Sequence, residues 1–191
     1  MHERTDPMGG HHLILGELED YVTGEVLADT HDERYRQKIA RFLVEEKGYT
    51  KADIAPRKSL VVAAGPRKGQ LKVDFTIAVD GRTAMVIKYA PGSLVTRHRP
   101  TLAISRLVAP HQVPVVVVTN GESAYILDGV SGALTAAGFD GIPSRKILAR
   151  QLDGMDFEPV PDDRREMEAR IVYAFEIEGS CPCDDSTCRI A

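Results

Sequence analysis

The stretch LKVDFTIAVDGRTAMVIKYAPGSL, residues 71–94, decides how this chain is read. Its first half alternates, with Leu71, Val73, Phe75, Ile77 and Val79 on one side and Lys72, Asp74, Thr76 and Ala78 on the other. That period of two marks a strand with one face in the core. Asp80-Gly81 is a hairpin turn signal, Thr83–Tyr89 returns, and Ala90-Pro91-Gly92 breaks the strand. The turn length sets which polar groups meet. A two-residue turn pairs Asp74 with Ile87 and sends Lys88 to the opposite face. A three-residue loop, Val79-Asp80-Gly81 with a bulge, pairs Ala78 with Arg82. It stacks the apolar residues of both arms on one face and gathers Lys72, Asp74, Thr76 and Lys88 on the other. The second register is expected because it separates apolar from polar, although the sequence alone does not fix it.

Outward from the hairpin, THDERYRQKIARFLVEEKGY places Tyr35, Ile39, Phe42 and Leu43 on one helical face. Thr30 and Glu33 have capping-box spacing and Gly48 supplies the stop. SLVVAA (59–64) is a short strand, and RPTLAISRLVAPH reads as a helix with Pro100 at its start. VPVVVVTNG (113–121) is a near-continuous apolar strand of the buried, parallel kind, followed by one or two edge strands in SAYILDGVSGAL. Helices are expected after Ser144 and from about Pro161 to Phe175, with Met167, Ile171, Ala174 and Phe175 aligned. LILGELEDYVTGEVL is expected to be a small helix or arm. The order helix, three strands, helix, strand predicts an α/β layer sandwich with a mixed central sheet flanked by helices. Three strands in succession exclude a dinucleotide-binding pattern.

The chain has 191 residues, 43% of them hydrophobic, with no tryptophan and five phenylalanines. This fits one domain whose core is filled by Leu, Val and Ile. The expected division is a partly disordered N-terminal arm over 1–30, the domain over 31–150, a helical appendage over 151–178 and a Cys-rich tail over 179–191. No apolar run approaches the ~18 residues needed to span a bilayer. The polar N-terminus and three cysteines confined to the tail predict a cytoplasmic protein with no membrane association. Net charge is −4, yet residues 54–121 hold ten basic residues against two acids, Asp74 and Asp80. That +8 centre leaves −12 on the rest of the chain, an asymmetry that points to anionic partners.

An acid beside a lysine on a half-buried sheet face suits phosphodiester hydrolysis. The carboxylate holds a divalent cation and the ammonium steadies the attacking water. The plainer reading is a cross-strand ion pair. Arg97 and Arg99, which open a helix, together with Arg106 and Lys72, are candidate nucleic-acid-binding residues. Cys181, Cys183 and Cys188, with Asp184 and Asp185 between them, are candidate ligands for a Zn²⁺-type ion, although the spacing is not that of a zinc ribbon. No phosphate-binding glycine loop, dinucleotide fingerprint or Ser/His/Asp set is present.

The segments DERYRQKIARFLVEEKGY, KVDFTIAVDGR, MVIKYAPGSL and VPVVVVTNGESAYILD resemble the N-terminal domain of type I restriction enzyme R subunits, over about Asp32 to Ser144. The resemblance implies a restriction-endonuclease-like αβββαβ core with a PD-(D/E)xK site. It implies Glu33 as the helix glutamate, Asp74 as the strand aspartate and Lys88 as the lysine. Aligned on that lysine, the second metal-binding carboxylate of the family falls at Val86; aligned instead on the Ala-Pro-Gly break, Lys88 falls at or next to the glutamate position, and either way the site is short of an acid. The Gln-x-x-x-Tyr of the family falls at Ala103 and Leu107 and is missing too. The expected function is a stand-alone nucleic-acid-binding domain, with DNA as the partner. Cleavage, if retained, would use Mg²⁺ held by Asp74 and Glu33 with Lys88 assisting the water. The contrasting class is a structural or regulatory interaction module in which the +8 centre pairs with DDRREMEAR or ELEDY of the same chain. A homodimer or a protein partner stays open.

Overall fold

The computed structural model describes residues 14–178 and 187–190. Two short strands, β1 (Glu17–Glu19) and β2 (Val26–Ala28), form an antiparallel hairpin where a helix or arm is expected. Asp20 explains the difference, because its carboxylate accepts the backbone N–H groups of Val22 and Thr23 and closes the turn. Helix α1 (His31–Glu45) follows, with Thr30 as N-cap accepting from the Glu33 N–H at 3.1 Å. Gly48, at φ +73°, ends the turn after it.

Strands β3 (Ile54–Ala64), β4 (Arg67–Val79) and β5 (Arg82–Tyr89) form an antiparallel meander. Helix α2 (His98–Ser105) starts two residues ahead of Pro100 and carries the chain to β6 (Val115–Thr119), which runs parallel to β5. β7 (Ala124–Asp128) and β8 (Leu134–Ala137) complete the edge. Helices α3 (Arg145–Leu152) and α4 (Asp162–Val172) follow, and α4 runs on as a π-helical turn, Tyr173–Glu178. β9 (Thr187–Ile190) pairs with β4, so part of the expected tail is a strand. The result is a seven-stranded mixed sheet, β3-β4-β5-β6-β7-β8 with β9 on β4. Among the described residues no helix is long and apolar enough to cross a membrane.

Helices lie on both faces of the sheet. Ile39, Ala40 and Leu43 of α1 and Leu148 of α3 pack on Ile77, Met85, Ile87 and Val117. Ala103 and Ile104 of α2 and Ala169 and Val172 of α4 pack on Leu71, Val73 and Val86. Burying each large side chain here contributes roughly 1.5–3 kcal/mol. In α4 the buried face is Glu168, Ala169 and Val172, continued by Tyr173 and Ile177. Met167 and Phe175, expected to align inward, are 48% and 58% exposed. The π turn adds residues per turn, so the straight 3.6-residue count fails at Phe175, whereas Met167 lies on the exposed side of α4 ahead of that turn.

The hairpin corrects the expected register while keeping its outcome. Asp80 (φ +51°) and Gly81 (φ +77°) make a two-residue turn that pairs Val79 with Arg82 and Ala78 with Thr83. This turn matches the strand twist, and aspartate tolerates its left-handed position. A bulge at Ala84 then shifts the pairing to Ile77 with Met85 and Phe75 with Ile87. Asp74 and Lys88 lie one residue beyond that last pair, their side chains 3.3 Å apart. The expected single apolar face of β4 is also divided. Phe75 and Ile77 face α1, whereas Leu71 and Val73 face α2 and α4. The exchange falls at Asp74, where the β3–β4 ladder skips the Arg57/Asp74 pair and Arg57 has φ +52°.

Gly121 closes the β6–β7 turn at φ +87°, and an added Cβ would stand 2.2 Å from the Tyr35 ring of α1. Tyr35 in turn stacks on Tyr89 at the end of β5, ring centroids 5.7 Å apart. Gly121→Ala combines left-handed strain with a collision and is expected to cost about 2–4 kcal/mol. Urea unfolding checks this, and a loss below about 0.5 kcal/mol would show that the α1–turn contact is loose.

Candidate functional site: a charged lattice around Asp74

Asp74 is buried where β4 and β5 meet α1. Its Oδ1 accepts from Arg36 Nε of α1 at 2.6 Å, and its Oδ2 accepts from the Tyr89 backbone N–H at 3.0 Å. Lys88 Nζ lies 3.3 Å from the same Oδ2. Both oxygens therefore have strong donors. Lys88 Nζ is also 3.7 Å from Glu176 Oε2 of the π turn, and Glu176 Oε1 is 3.8 Å from Arg97.

Glu33 extends the lattice toward the N-terminal hairpin. Its carboxylate does not complete the capping box but turns inward, 2.8 Å from Gln37 Nε2, 3.5 Å from Arg36 and 3.6 Å from Arg57. Arg57 also pairs with Asp20 at 2.8 Å and Glu25 at 3.3 Å. Glu33 and Asp74, predicted to share a cation, thus sit on two edges of the Arg36 guanidinium. Arg36 also lies 5.4 Å from the centre of the Tyr89 ring, whose hydroxyl donates to Asp32 at 3.1 Å.

The arginines expected to hold phosphate point largely to a second acid. Glu168 of α4, fully buried, accepts from Arg99 at 2.6 Å, Arg106 at 2.7 Å and Arg164 at 2.7 Å. The Arg106 side chain is 6% exposed, while Arg97 and Arg99 keep 39% and 44% of theirs in solvent. Lys72 is exposed on β4, apart from the lattice. Val86 is fully buried on the Lys88 face of β5, packed among α2 and α4. Cys188 is exposed in β9, whereas Cys181 and Cys183 lie outside the described residues.

Sequence reasoning missed Arg36, Gln37, Arg57 and Glu176, and reached Asp20 and Glu168 only as members of ELEDY and DDRREMEAR, the acidic segments offered as partners of the basic centre. A signal existed for two of them, since Arg36 and Gln37 stand three and four residues beyond Glu33 on one helical face. Arg57 depends on a left-handed backbone and Glu176 on a π turn, and neither leaves a periodic trace.

The Asp74–Lys88–Arg36 group resists neutralisation. Burial pushes the Asp74 carboxyl up, but the charges of Lys88 and Arg36 outweigh it and hold the group below its ordinary range. Burial opposes the Lys88 charge, and Asp74 and Glu176 overcome that, raising it. Asp20 follows the same pattern: burial raises it, yet the bonds from Arg57, Thr23 and Gln37 bring it to about 2. Glu168 is raised by burial and lowered further by Arg99, Arg106 and Arg164, ending below its usual value.

Magnesium seeks six oxygen ligands in near-octahedral array. Asp74 and Glu33 are each committed to cationic or N–H donors. Among the described residues no three His, Cys, Asp or Glu side chains lie close enough to share a metal. The donor set therefore does not fit a magnesium centre in this arrangement.

Two outcomes follow. Asp74→Asn keeps the shape but removes the nearest negative charge from Arg36 and Lys88, leaving them Glu33 at 3.5 Å and Glu176 at 3.7 Å, and is expected to lose about 3–5 kcal/mol. A loss under about 1 kcal/mol in urea unfolding would contradict the lattice. Asp20, Asp74 and Glu168 all have folded pKa values below their unfolded ones. Each contributes stability that is complete above about pH 4–5 and is lost as the pH falls through the folded value. Stability is expected to hold from neutrality to that range and to fall steeply toward pH 2. Asp20→Asn should flatten the last part of the fall.

The family model described as type I restriction enzyme R protein N terminus (HSDR_N) matches residues 31–143 of the 191. It spans α1 to the loop before α3, and takes in Glu33, Asp74 and Lys88. Asp20, Glu168 and Glu176 come from segments outside it. No curated protein and no solved structure matches the chain. The chain belongs to the family of type I restriction enzyme R protein N termini.

Proposed function

We propose that this chain is a nuclease-fold module that binds DNA without cutting it, its nuclease centre having become a structural ion-pair lattice. The observation that carries this reading is the Asp74 carboxylate, whose two oxygens are taken by Arg36, the Tyr89 N–H and Lys88. Hydrolysis assisted by Mg²⁺ would require Asp74 to release Arg36 and a second carboxylate to replace Val86. Asp74 and Glu176 beside Lys88 favour its charged ammonium form. DNA is the partner favoured by the family. Arg97 and Arg99 support it, since each holds an acid with one N–H edge and remains part exposed. A guanidinium has five donors in a fixed fork, so its outer edge is free to reach a backbone phosphate. Lys72, exposed on β4, alternates with Leu71 and Val73, which face α2 and α4, and stands apart from this pair. Arg106 serves as the buried partner of Glu168 rather than as a phosphate contact.

A second reading, an interaction module with no nucleic acid, draws on a specific observation. The acids of DDRREMEAR and ELEDY do pair with the basic centre, Glu168 with Arg99 and Arg106, and Asp20 with Arg57. Salt dependence separates the two, because each phosphate contact releases counterions.

Supercoiled plasmid and a labelled duplex, incubated with wild type and with Arg97→Ala/Arg99→Ala in Mg²⁺, Mn²⁺ or EDTA, provide the test. The expected result is a retarded, uncut duplex whose affinity falls steeply with salt, and weakens about tenfold or more in the double variant. Metal-dependent nicking would overturn the non-cleaving reading. An unshifted band at low salt would favour the interaction module.

A further inference from the structure

At the end of the sheet away from Asp74, a cleft of about 770 Å³ opens between the end of α1, the β4–β5 turn and α3. Five residue steps along β4 lead from Asp74 to Val79 on the cleft wall, about 17 Å of strand. Five cations line it, Lys47, Arg82, Arg145, Lys146 and Arg150, against two acids, Asp80 and Asp153. None of these residues belongs to the Asp74 lattice.

Three of the cations are held in place. Lys47 Nζ donates to the Asp140 carbonyl at 3.0 Å, and the Arg82 guanidinium lies 4.8 Å from the centre of the Phe157 ring. Arg145 Nε donates to Asp53 at 3.0 Å. A carbonyl and a ring position a cation without cancelling its charge, so of these three only Arg145 is neutralised. Lys146 and Arg150 are exposed and form no ion pair among the described residues. Fixed cations facing one concavity lower the ordering cost of binding an anion. The volume lies in the range of small-molecule sites. A singly charged carboxylate would leave most of these donors unused, whereas a chain of phosphates presents several charges at once.

We propose that this cleft is a binding site for phosphate-bearing anions, distinct from the Asp74 region. A free nucleotide and a nucleic-acid backbone offer the same chemistry to it. In the second case the site deepens the DNA-binding reading, and in the first it stands apart from it.

The full chain is titrated with inorganic tripolyphosphate, ATP and a short labelled duplex, by calorimetry and by amide chemical shifts. The variants are Lys146→Glu/Arg150→Glu, at exposed positions that leave the core untouched, and Arg82→Ala. Saturable tripolyphosphate binding, with shifts gathered at Gly48, Ser144 and Gly154 and affinity reduced at least about tenfold by the charge reversal, is the expected result. A duplex weakened by the same reversal assigns the cleft to backbone phosphate. ATP binding without duplex binding assigns it to nucleotides and removes the DNA reading alone. No saturable tripolyphosphate binding, or binding that the reversal leaves unchanged, overturns the site. A duplex that still binds in that case leaves the DNA reading intact.

Discussion

The interaction on which the rest of the structure depends is the Asp74 carboxylate, which ties β4 to Arg36 of α1, to Lys88 and to the Tyr89 backbone. A carboxylate removed from water is costly unless every lone pair is answered. Here the answers come from a helix and a neighbouring strand, so satisfying one charge also seats α1 on the sheet. Tyr89 carries the link onward, stacked on Tyr35, which packs against the Gly121 turn. The arrangement is a geometric lock between local structure and core packing, in which neither side chain nor backbone is dispensable.

The lattice also explains why segments outside the family match are ordered against it. The β1–β2 turn brings Asp20 to Arg57, α4 brings Glu168 to Arg99 and Arg106, and the π turn brings Glu176 to Lys88 and Arg97. Val86, the position at which a second metal-binding carboxylate was expected, is part of the apolar seat of α2 and α4. Lys88 meets its second acid from the helix packed over that seat. Lys88 therefore has acids from two elements, Asp74 of the sheet at 3.3 Å and Glu176 of the π turn at 3.7 Å.

Much of the architecture was legible in residue periodicity. Alternation in β4, the β6 valine run and the Ile39/Leu43 face of α1 follow from which side must be dry, and each element is where that pattern puts it. The common face of Asp74 and Lys88 was legible too, although by a different route: a tight turn plus a bulge at Ala84 restores the face parity of the expected loop, with the pairing displaced by two residues. What stayed hidden rests on departures from regular geometry. Arg57 in a left-handed conformation lets β4 change faces at Asp74, and a π turn places Glu176 inward and Phe175 outward. No spacing rule encodes either. The basic centre was legible as a count but not as a surface, since pairing with distant acids depends on the tertiary fold.

The central claim is that Asp74 serves structure rather than holding a catalytic cation. Thermal unfolding of wild type and Asp74→Ala in EDTA and in saturating Mg²⁺ or Mn²⁺ tests it most directly, because a ligand bound only by the native state raises its stability in proportion to occupancy. The account predicts a large drop in midpoint for the variant and the same wild-type midpoint with and without metal. A wild-type midpoint that rises with Mg²⁺ or Mn²⁺, with the rise absent in Asp74→Ala, would contradict it.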